Sequence, residues 1–283
     1  MSKFRPRIRS RHPSHEPLRT QLPKLPIRTV VRLGSTTVLD LGPKKQIIEI
    51  NTVEAVKNSA NKLLMKHCFD VEGVKTADWW VKEENNFLKE GDEEQVSTLE
   101  TLPYPIVAKH IFGSRGTGNY LINNQQELEA WLPNKTIENY IFEKFYNFNR
   151  EYRLHVTKDG CFYTCRKLLR EDTPTDKRWF RNDSNCNWIV EENESFDKPV
   201  NWDAIVAEGV KALKAVGLDF GAVDIRVQSA TKTSKKHGEV PRENPEFIII
   251  EINSAPSFGE ITLQRYLEQI PNIVNSKIAE AKA

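Results

Sequence analysis

A chain of 283 residues with 39% hydrophobic and 28% charged residues has the composition of a folded globular protein, long enough for two packed lobes around one cleft. No apolar run approaches the ~20 residues of a membrane span and the N-terminus lacks the apolar core of a signal peptide, so a cytoplasmic protein with no membrane partner is expected. The net charge of +2 is unevenly spread: residues 1–26 carry Lys3, Arg5, Arg7, Arg9, Arg11, Arg19 and Lys24 against Glu16, a local charge of +6, and the remaining 34 basic and 38 acidic residues give −4. A mildly acidic body argues against a nucleic-acid-binding domain, whereas the basic arm suits nucleic acid or an acidic partner.

With Pro6, Pro13, Pro17, Pro23 and Pro26 inside it, the arm is expected to be extended and poorly ordered. Ile27 to Gly34 and Thr36 to Gly42 read as short strands closed by glycines, forming a small N-terminal lobe over residues 27–57. Asn58 or Ser59 is placed to cap a helix from Ala60 to His67, and the acid-rich stretch Val81 to Thr101 reads as loop or irregular helix. Tyr104 to Ile122 reads as strand, glycine-rich loop and strand, followed by a helix from Gln125 to Leu132.

The strands Tyr140 to Phe145, Arg150 to Val156 and Cys161 to Leu169 come next, then a polar loop from Arg170 to Asn187 and a strand from Trp188 to Glu191. A helix from Trp202 to Val216 should bury Val206, Val210 and Leu213. Gly221 to Val227 and Phe247 to Asn253 are the last strands, separated by a polar insert, Ser229 to Glu246, read as a surface loop. A terminal helix from Ile261 or Thr262 is expected to kink at Pro271. This order of strands and helices indicates an α+β fold. The four cysteines are too few and scattered for a disulfide framework, and the Cys161/Cys165 pair has no second pair to complete a zinc set, so free thiols are expected.

The most informative segment is Phe247 to Asn253, FIIIEIN, an apolar strand ending in a carboxylate and an amide. Strand alternation places Glu251 and Asn253 on one face and Ile250 and Ile252 on the other. Two oxygen donors about 7 Å apart by strand rise can share a hard cation, and magnesium usually keeps part of its shell for phosphate. Asp224 alternates with Ala222 and Arg226 on GAVDIRV. If the two strands pair, Asp224 joins Glu251 and Asn253.

GSRGTG, Gly113 to Gly118, offers backbone N–H groups to phosphate or simply turns a hairpin. Lys109 just before it is a phosphate contact or a solvated strand-end lysine. It is not a P-loop, because no Gly-Lys-Ser/Thr follows, and the protein-kinase lysine strand is excluded because the glycine loop comes after the lysine rather than before it.

Taken in order from Asn58 to Phe258, these residues resemble the ATP-grasp superfamily, and within it carboxylate-amine ligases of the ribosomal-protein glutamate ligase type. NKLLMKHCFDVEGV is similar to the helix that opens the family's central lobe, IVAKHIFGSRGTGNYLI to its lysine strand and phosphate-covering loop, and IFEKF to its adenine hinge. REYRLHV and CRKLL look like the family's following basic strands, and GAVDIRV with IIEIN like its two metal strands.

The resemblance implies a nucleotide between a central lobe, 58–139, and a C-terminal lobe, 140–283. Lys62 and Lys109 would meet phosphates with Gly113, Ser114, Gly116 and Gly118; Glu143 and Phe145 would line adenine, and Glu151 the ribose. Arg153 and Lys167 would bind phosphate or the acyl phosphate, and Arg226 would serve as an oxyanion donor. Asp224, Glu251 and Asn253 would hold magnesium or manganese. Lys62, Arg166 and Arg181 could equally be surface cations.

The implied reaction joins a small-molecule, peptide or protein carboxylate to an amine through an acyl phosphate, at the expense of ATP. A small-polyol kinase and a degenerate nucleotide-binding module with a basic arm are the alternatives. The short N-terminal lobe and the 229–246 insert depart from the family where substrates are chosen.

Overall fold

The computed structural model describes residues 3–39, 46–84, 86–89, 96–114, 116–234 and 238–282. Among these residues the strands form sheets of three, six and five strands and one separate hairpin. The first sheet contains β1 (Arg7–Arg9), β2 (Arg28–Arg32) and β3 (Ile47–Ile50), all parallel, with α1 (Glu16–Gln21) between β1 and β2.

The expectation of a disordered arm is thereby corrected. Ile8, Leu18, Leu22 and Leu25 are buried in a cluster with Leu33, Phe220, Tyr266 and Ile270. Pro13 and Pro17 sit in the first turns of a 3-10 turn and of α1, where proline interrupts no hydrogen bond. The second strand expected here, Thr36 to Gly42, is non-strand through Leu39 and lies outside the described residues from Asp40; β3 takes its place.

Where one helix was expected there are two, α2 (Val53–Ala60) and α3 (Lys62–Val71). Asn61 breaks the run by leaving the helical region and accepting the N–H groups of Leu63 and Leu64 at 2.9 and 3.3 Å, the role of an N-cap. The stretch read as loop, Val81 to Thr101, holds strands: β4 (Trp79–Glu83), β5 (Asn86–Leu88) and β6 (Val96–Ser97). With β7 (Ile106–His110), β8 (Asn119–Ile122), α4 (Gln125–Trp131) and β9 (Tyr140–Lys144) they form the central lobe, whose sheet order is β6-β5-β4-β9-β7-β8; β9 pairs here with β4 and β7, which corrects its expected place at the start of the C-terminal lobe.

The third sheet has the order β12-β11-β10-β13-β16, from β10 (Arg150–Thr157), β11 (Gly160–Leu169), β12 (Cys186–Val190), β13 (Phe220–Val227) and β16 (Phe247–Asn253), all antiparallel. One face packs on α5 (Trp202–Ala215), which buries Ile205, Gly209, Ala212 and Leu213. The buried stripe is thus rotated from the expected one, leaving Val206 and Val210 at its margin.

The polar insert folds as a hairpin, β14 (Thr231–Ser234) and β15 (Gly238–Pro241), instead of a plain loop. The last helix, α6 (Glu260–Glu280), runs as one element through Pro271. The four cysteines are free, and burial pushes the Cys161 and Cys165 thiols up to about 12. No described helix is long and apolar enough to cross a membrane.

Candidate active site

Between the six-stranded and five-stranded sheets lies a cleft of about 330 Å³. The central lobe contributes Lys62 from α3, Lys109 from β7, Gly113, Ser114 and Gly116 from the glycine loop, and Glu143 and Phe145 from β9 and its exit. The C-terminal lobe contributes Glu151 and Arg153 from β10, Lys167 from β11, Asp224 and Arg226 from β13, and Glu251 and Asn253 from β16. Gly118 does not line the cleft. Its φ of +77° turns the hairpin, and a Cβ there would stand 2.8 Å from that of His110, so the position requires glycine. Arg115 lies outside the described residues.

Pairing of β13 with β16 sets Asp224 directly opposite Glu251, which places the two carboxylates on one face. The register then slips, Asp224 facing Glu251 while Ile225 faces Ile249, so Ile250 is the extra residue of a bulge. A bulge breaks the alternation of faces. Ile250 consequently lines the cleft together with Glu251 and Asn253, correcting its assignment to the opposite face; Ile252 stays in the core.

Two ion-pair networks organise the walls. In the central lobe the buried Glu143 carboxylate receives Lys109 Nζ at 2.7 Å and Lys66 Nζ at 3.3 Å. Burial pushes Glu143 up, but Lys109 and Lys66 outweigh it and hold the carboxyl below the ordinary range. One carboxylate between two ammonium groups leaves a positive charge in excess, and burial accordingly pushes Lys66 down. Lys62, whose Nζ donates to the Gly113 carbonyl, is also pushed down by burial, partly offset by Glu251.

In the C-terminal lobe Arg153 grips Asp224 with two bonds, Nε to Oδ1 at 2.7 Å and Nη2 to Oδ2 at 2.8 Å. Lys167 Nζ bridges Asp224 Oδ2 and Glu151 Oε1, each at 2.8 Å. Arg226 reaches Glu151 Oε2 at 3.0 Å and the Trp179 carbonyl at 2.6 Å, while Arg181 stands 3.8 Å from the same Glu151 oxygen. Burial raises the Asp224 carboxyl, yet Arg153 and Lys167 prevail and pull it far down; Glu151 is held down by Lys167, Arg226 and Arg181 against the same burial. Two-point guanidinium contacts of this kind are the strongest of the charge-assisted bonds.

The carboxylates of Glu143 and Glu151, matched by resemblance to adenine and ribose positions, are therefore engaged with cations of their own lobes. Arg166 is absent from the cleft wall, its guanidinium bound to the Ser195 carbonyl at 2.8 Å and to Asp197 at 3.3 Å, whereas Arg181 lines the cleft. Three contributors escaped the sequence reading: Lys66, the aromatic set Trp179, Phe180 and Trp188, and His12 from the N-terminal segment. Lys66 was detectable, since it follows Lys62 by four residues on one helix face.

Among the described residues no three His, Cys, Asp or Glu side chains form a metal cage. Glu251 and Asn253 are joined by an amide-to-carboxylate bond of 3.3 Å, with Asp224 opposite. Two carboxylates and an amide form an all-oxygen, incomplete donor set, which suits magnesium with phosphate and water as its other ligands. Along the cleft Lys62, Lys109, Lys144, Arg153, Lys167, Arg181 and Arg226 face Glu143, Glu151, Asp183, Asp224 and Glu251, a surplus of two positive charges.

No protein-family model and no curated protein matches the sequence, so its likenesses are structural. The D-alanine–D-alanine ligase of Coxiella burnetii superposes with a TM-score of 0.55 at 14% identity, over 90% of this chain and 67% of the other. N5-carboxyaminoimidazole synthetase of Staphylococcus aureus, complexed with ADP, gives 0.52 at 19%, over 83% and 56%. N5-carboxyaminoimidazole synthase of Aspergillus clavatus, with ADP and 5-aminoimidazole ribonucleotide, gives 0.50 at 18%, over 80% and 52%. The chain thus spans about half the length of the last of these. Its fold is the α+β fold of the ATP-grasp ligases.

Proposed function

We propose that the chain is an ATP-dependent ligase that activates a carboxylate as an acyl phosphate and transfers the acyl group to an amine. The observation that carries this reading is the convergence of Lys109, Arg153, Lys167, Asp224, Glu251 and Asn253 on one cleft between two lobes of ATP-grasp fold. The cationic surplus suits a polyphosphate, and the oxygen donors suit its metal. Magnesium, held by Glu251 and Asn253 with Asp224 opposite, would supply charge neutralisation on the phosphates.

Lys109, on the strand before the glycine loop, is positioned to bind phosphate oxygens in exchange for one contact to Glu143. Ser114 and the backbone of Gly113 and Gly116 cover the phosphates, and Phe145 with Trp179 offers an apolar wall for a base. A carboxylate oxygen attacks the γ-phosphorus as the bond to the β-phosphate oxygen breaks and ADP leaves. Arg153 and Lys167, fixed in place by Asp224, stabilise charge on the transferred group. The amine then attacks the acyl carbon, phosphate departs and the amine proton is lost.

The loop between β11 and β12 supplies Trp179 to Asp183 to the cleft wall. A Cβ at Gly116 would meet Phe180 and Asn182 at 3.6 Å, so the two loops touch and exclude water from an intermediate that water destroys.

Hydroxylamine tests the reading directly, because it captures an acyl phosphate as a hydroxamate. Incubation with ATP, magnesium and a panel of acids should give hydroxamate, ADP and free phosphate in equal amounts, and Glu251→Gln should lower the rate at least about a hundredfold. ADP formed with a polyol and without free phosphate would establish the kinase alternative. Turnover unchanged in Glu251→Gln refutes the metal assignment.

A further inference from the structure

We propose that Trp188 is a positioning residue for phosphoryl transfer, its indole holding Arg153 and Lys167 in place as they exchange the Asp224 carboxylate for the transferred group; this rests on the ligase reading above. Trp188 lies on β12, an edge strand of the five-stranded sheet. Strand alternation fixes its direction. Ile189 packs against the core on one face of the sheet, and Trp188 stands on the other, where it lines the cleft. It is paired directly opposite Lys167 of β11, which sets the two side chains next to each other. The ring remains 37% exposed.

The indole meets both cations. The guanidinium carbon of Arg153 lies 4.9 Å and Lys167 Nζ 5.6 Å from a ring centroid of Trp188, both inside the ~6 Å over which an aromatic face attracts a positive charge. Arg153 sits two strands away on β10, with Cys165 opposite it on the strand between. Two strand spacings are about 10 Å, a distance that the guanidinium and the indole cover between them. Both cations are largely withdrawn from water, where such a contact is stronger than at an open surface.

The same two cations are also held by acids, and the two kinds of contact differ in what they permit. Arg153 donates to both oxygens of Asp224, and Lys167 bridges Asp224 and Glu151. A carboxylate competes with a phosphoryl group, because each offers anionic oxygens to the same N–H donors. The indole attracts through its ring quadrupole and carries no net charge. It therefore leaves the N–H groups of both cations able to change partners and stays in contact while they do. A ring-free side chain at this position would let Arg153 and Lys167 swing into the cleft once their hold on Asp224 loosens.

The test compares the full-length protein with Trp188→Leu, Trp188→Thr and Trp188→Phe in the hydroxylamine assay, using acetate, D-alanine, L-glutamate and succinate as acids. The kcat and the KM of ATP are measured separately, and the urea midpoint checks the fold; threonine provides a second ring-free variant suited to a strand. Both ring-free variants are expected to lower kcat about tenfold with the KM of ATP within about twofold. Trp188→Phe, which keeps an aromatic face, should recover most of the loss. An unchanged kcat in a folded ring-free variant, a Trp188→Phe protein as slow as Trp188→Leu, or a rise in the KM of ATP alone overturns the proposal and leaves the ligase reading standing. Absence of hydroxamate from the parent with every acid removes the ligase reading and this proposal together.

Discussion

The Glu143 network allows a quantitative test of how the site is held together. Glu143 is 4% exposed and is the carboxylate partner of Lys66, which is fully buried, and of Lys109, which is 8% exposed. Glu143→Gln keeps the volume and removes the charge, leaving two ammonium groups in a low-dielectric wall without their counter-ion. Breaking a buried pair from one side costs about 3–5 kcal/mol. For a chain of 283 residues the unfolding entropy per residue converts this to a fall in Tm of about 5–8 °C. Adding Lys66→Met removes one of the stranded charges and fills the space with an apolar chain of similar length, so the double variant should regain about 2 kcal/mol or more. Urea unfolding followed by tryptophan fluorescence and by circular dichroism measures both. A single-variant loss below about 1 kcal/mol, or a double variant no more stable than the single, would show that Glu143 does not neutralise these lysines in solution.

Acid should act through the same groups. Glu143, Glu151 and Asp224 all titrate below their ordinary ranges in the folded chain, so the stability they contribute is complete above about pH 5 and is lost as pH falls below about 4; urea midpoints between pH 3 and 7 check this, and a flat profile contradicts it. Lys62 and Lys66 are pushed down by burial, and an arriving polyphosphate would raise them again, so nucleotide binding should take up protons and weaken as pH rises toward 10.5. Calorimetry in buffers of different ionisation enthalpy measures that uptake, and proton release on binding would refute it. Gly34→Val sets a branched side chain at φ +71° against Ala255 and should cost at least about 1–2 kcal/mol, read as a lower urea midpoint; a neutral outcome would show that the wall yields.

Legibility in the sequence followed the density of the local signal. FIIIEIN and GAVDIRV are apolar runs with isolated polar residues, and their pairing on one face follows from composition and alternation. The bulge at Ile250 does not, because it arises from the register of two strands whose separation in sequence includes a whole hairpin. The N-terminal segment was hidden by its own composition. Ile8, Leu18, Leu22 and Leu25 are spread thinly among arginines and prolines, and their core is completed by surfaces far along the chain, Phe220, Tyr266 and Ile270 among them. The same distance concealed His12. The cations of the site were legible as residues but not as partners, since Arg153 meets Asp224 only when β10 lies beside β13, and Lys167 reaches both acids only when β11 lies beside β10.

Those partnerships bear on how the proposed reaction is prepared. A lysine or arginine free in water must lose its hydration to meet a phosphate, a cost that grows as the site closes. Here Lys109, Arg153, Lys167 and Arg226 are already withdrawn from water, each bound to a carboxylate of its own lobe. Binding a polyphosphate with its metal, as proposed, would then exchange one set of anionic oxygens for another around cations whose positions are fixed. Asp224 is the pivot of that exchange: its carboxylate orients Arg153 and Lys167 and also stands opposite Glu251. A contact given up by either cation frees an oxygen toward the donors of β16. In the proposed reaction this arrangement would couple metal binding to release of the cations that meet the transferred phosphoryl group, with charge stabilisation and ligand binding drawing on the same carboxylate.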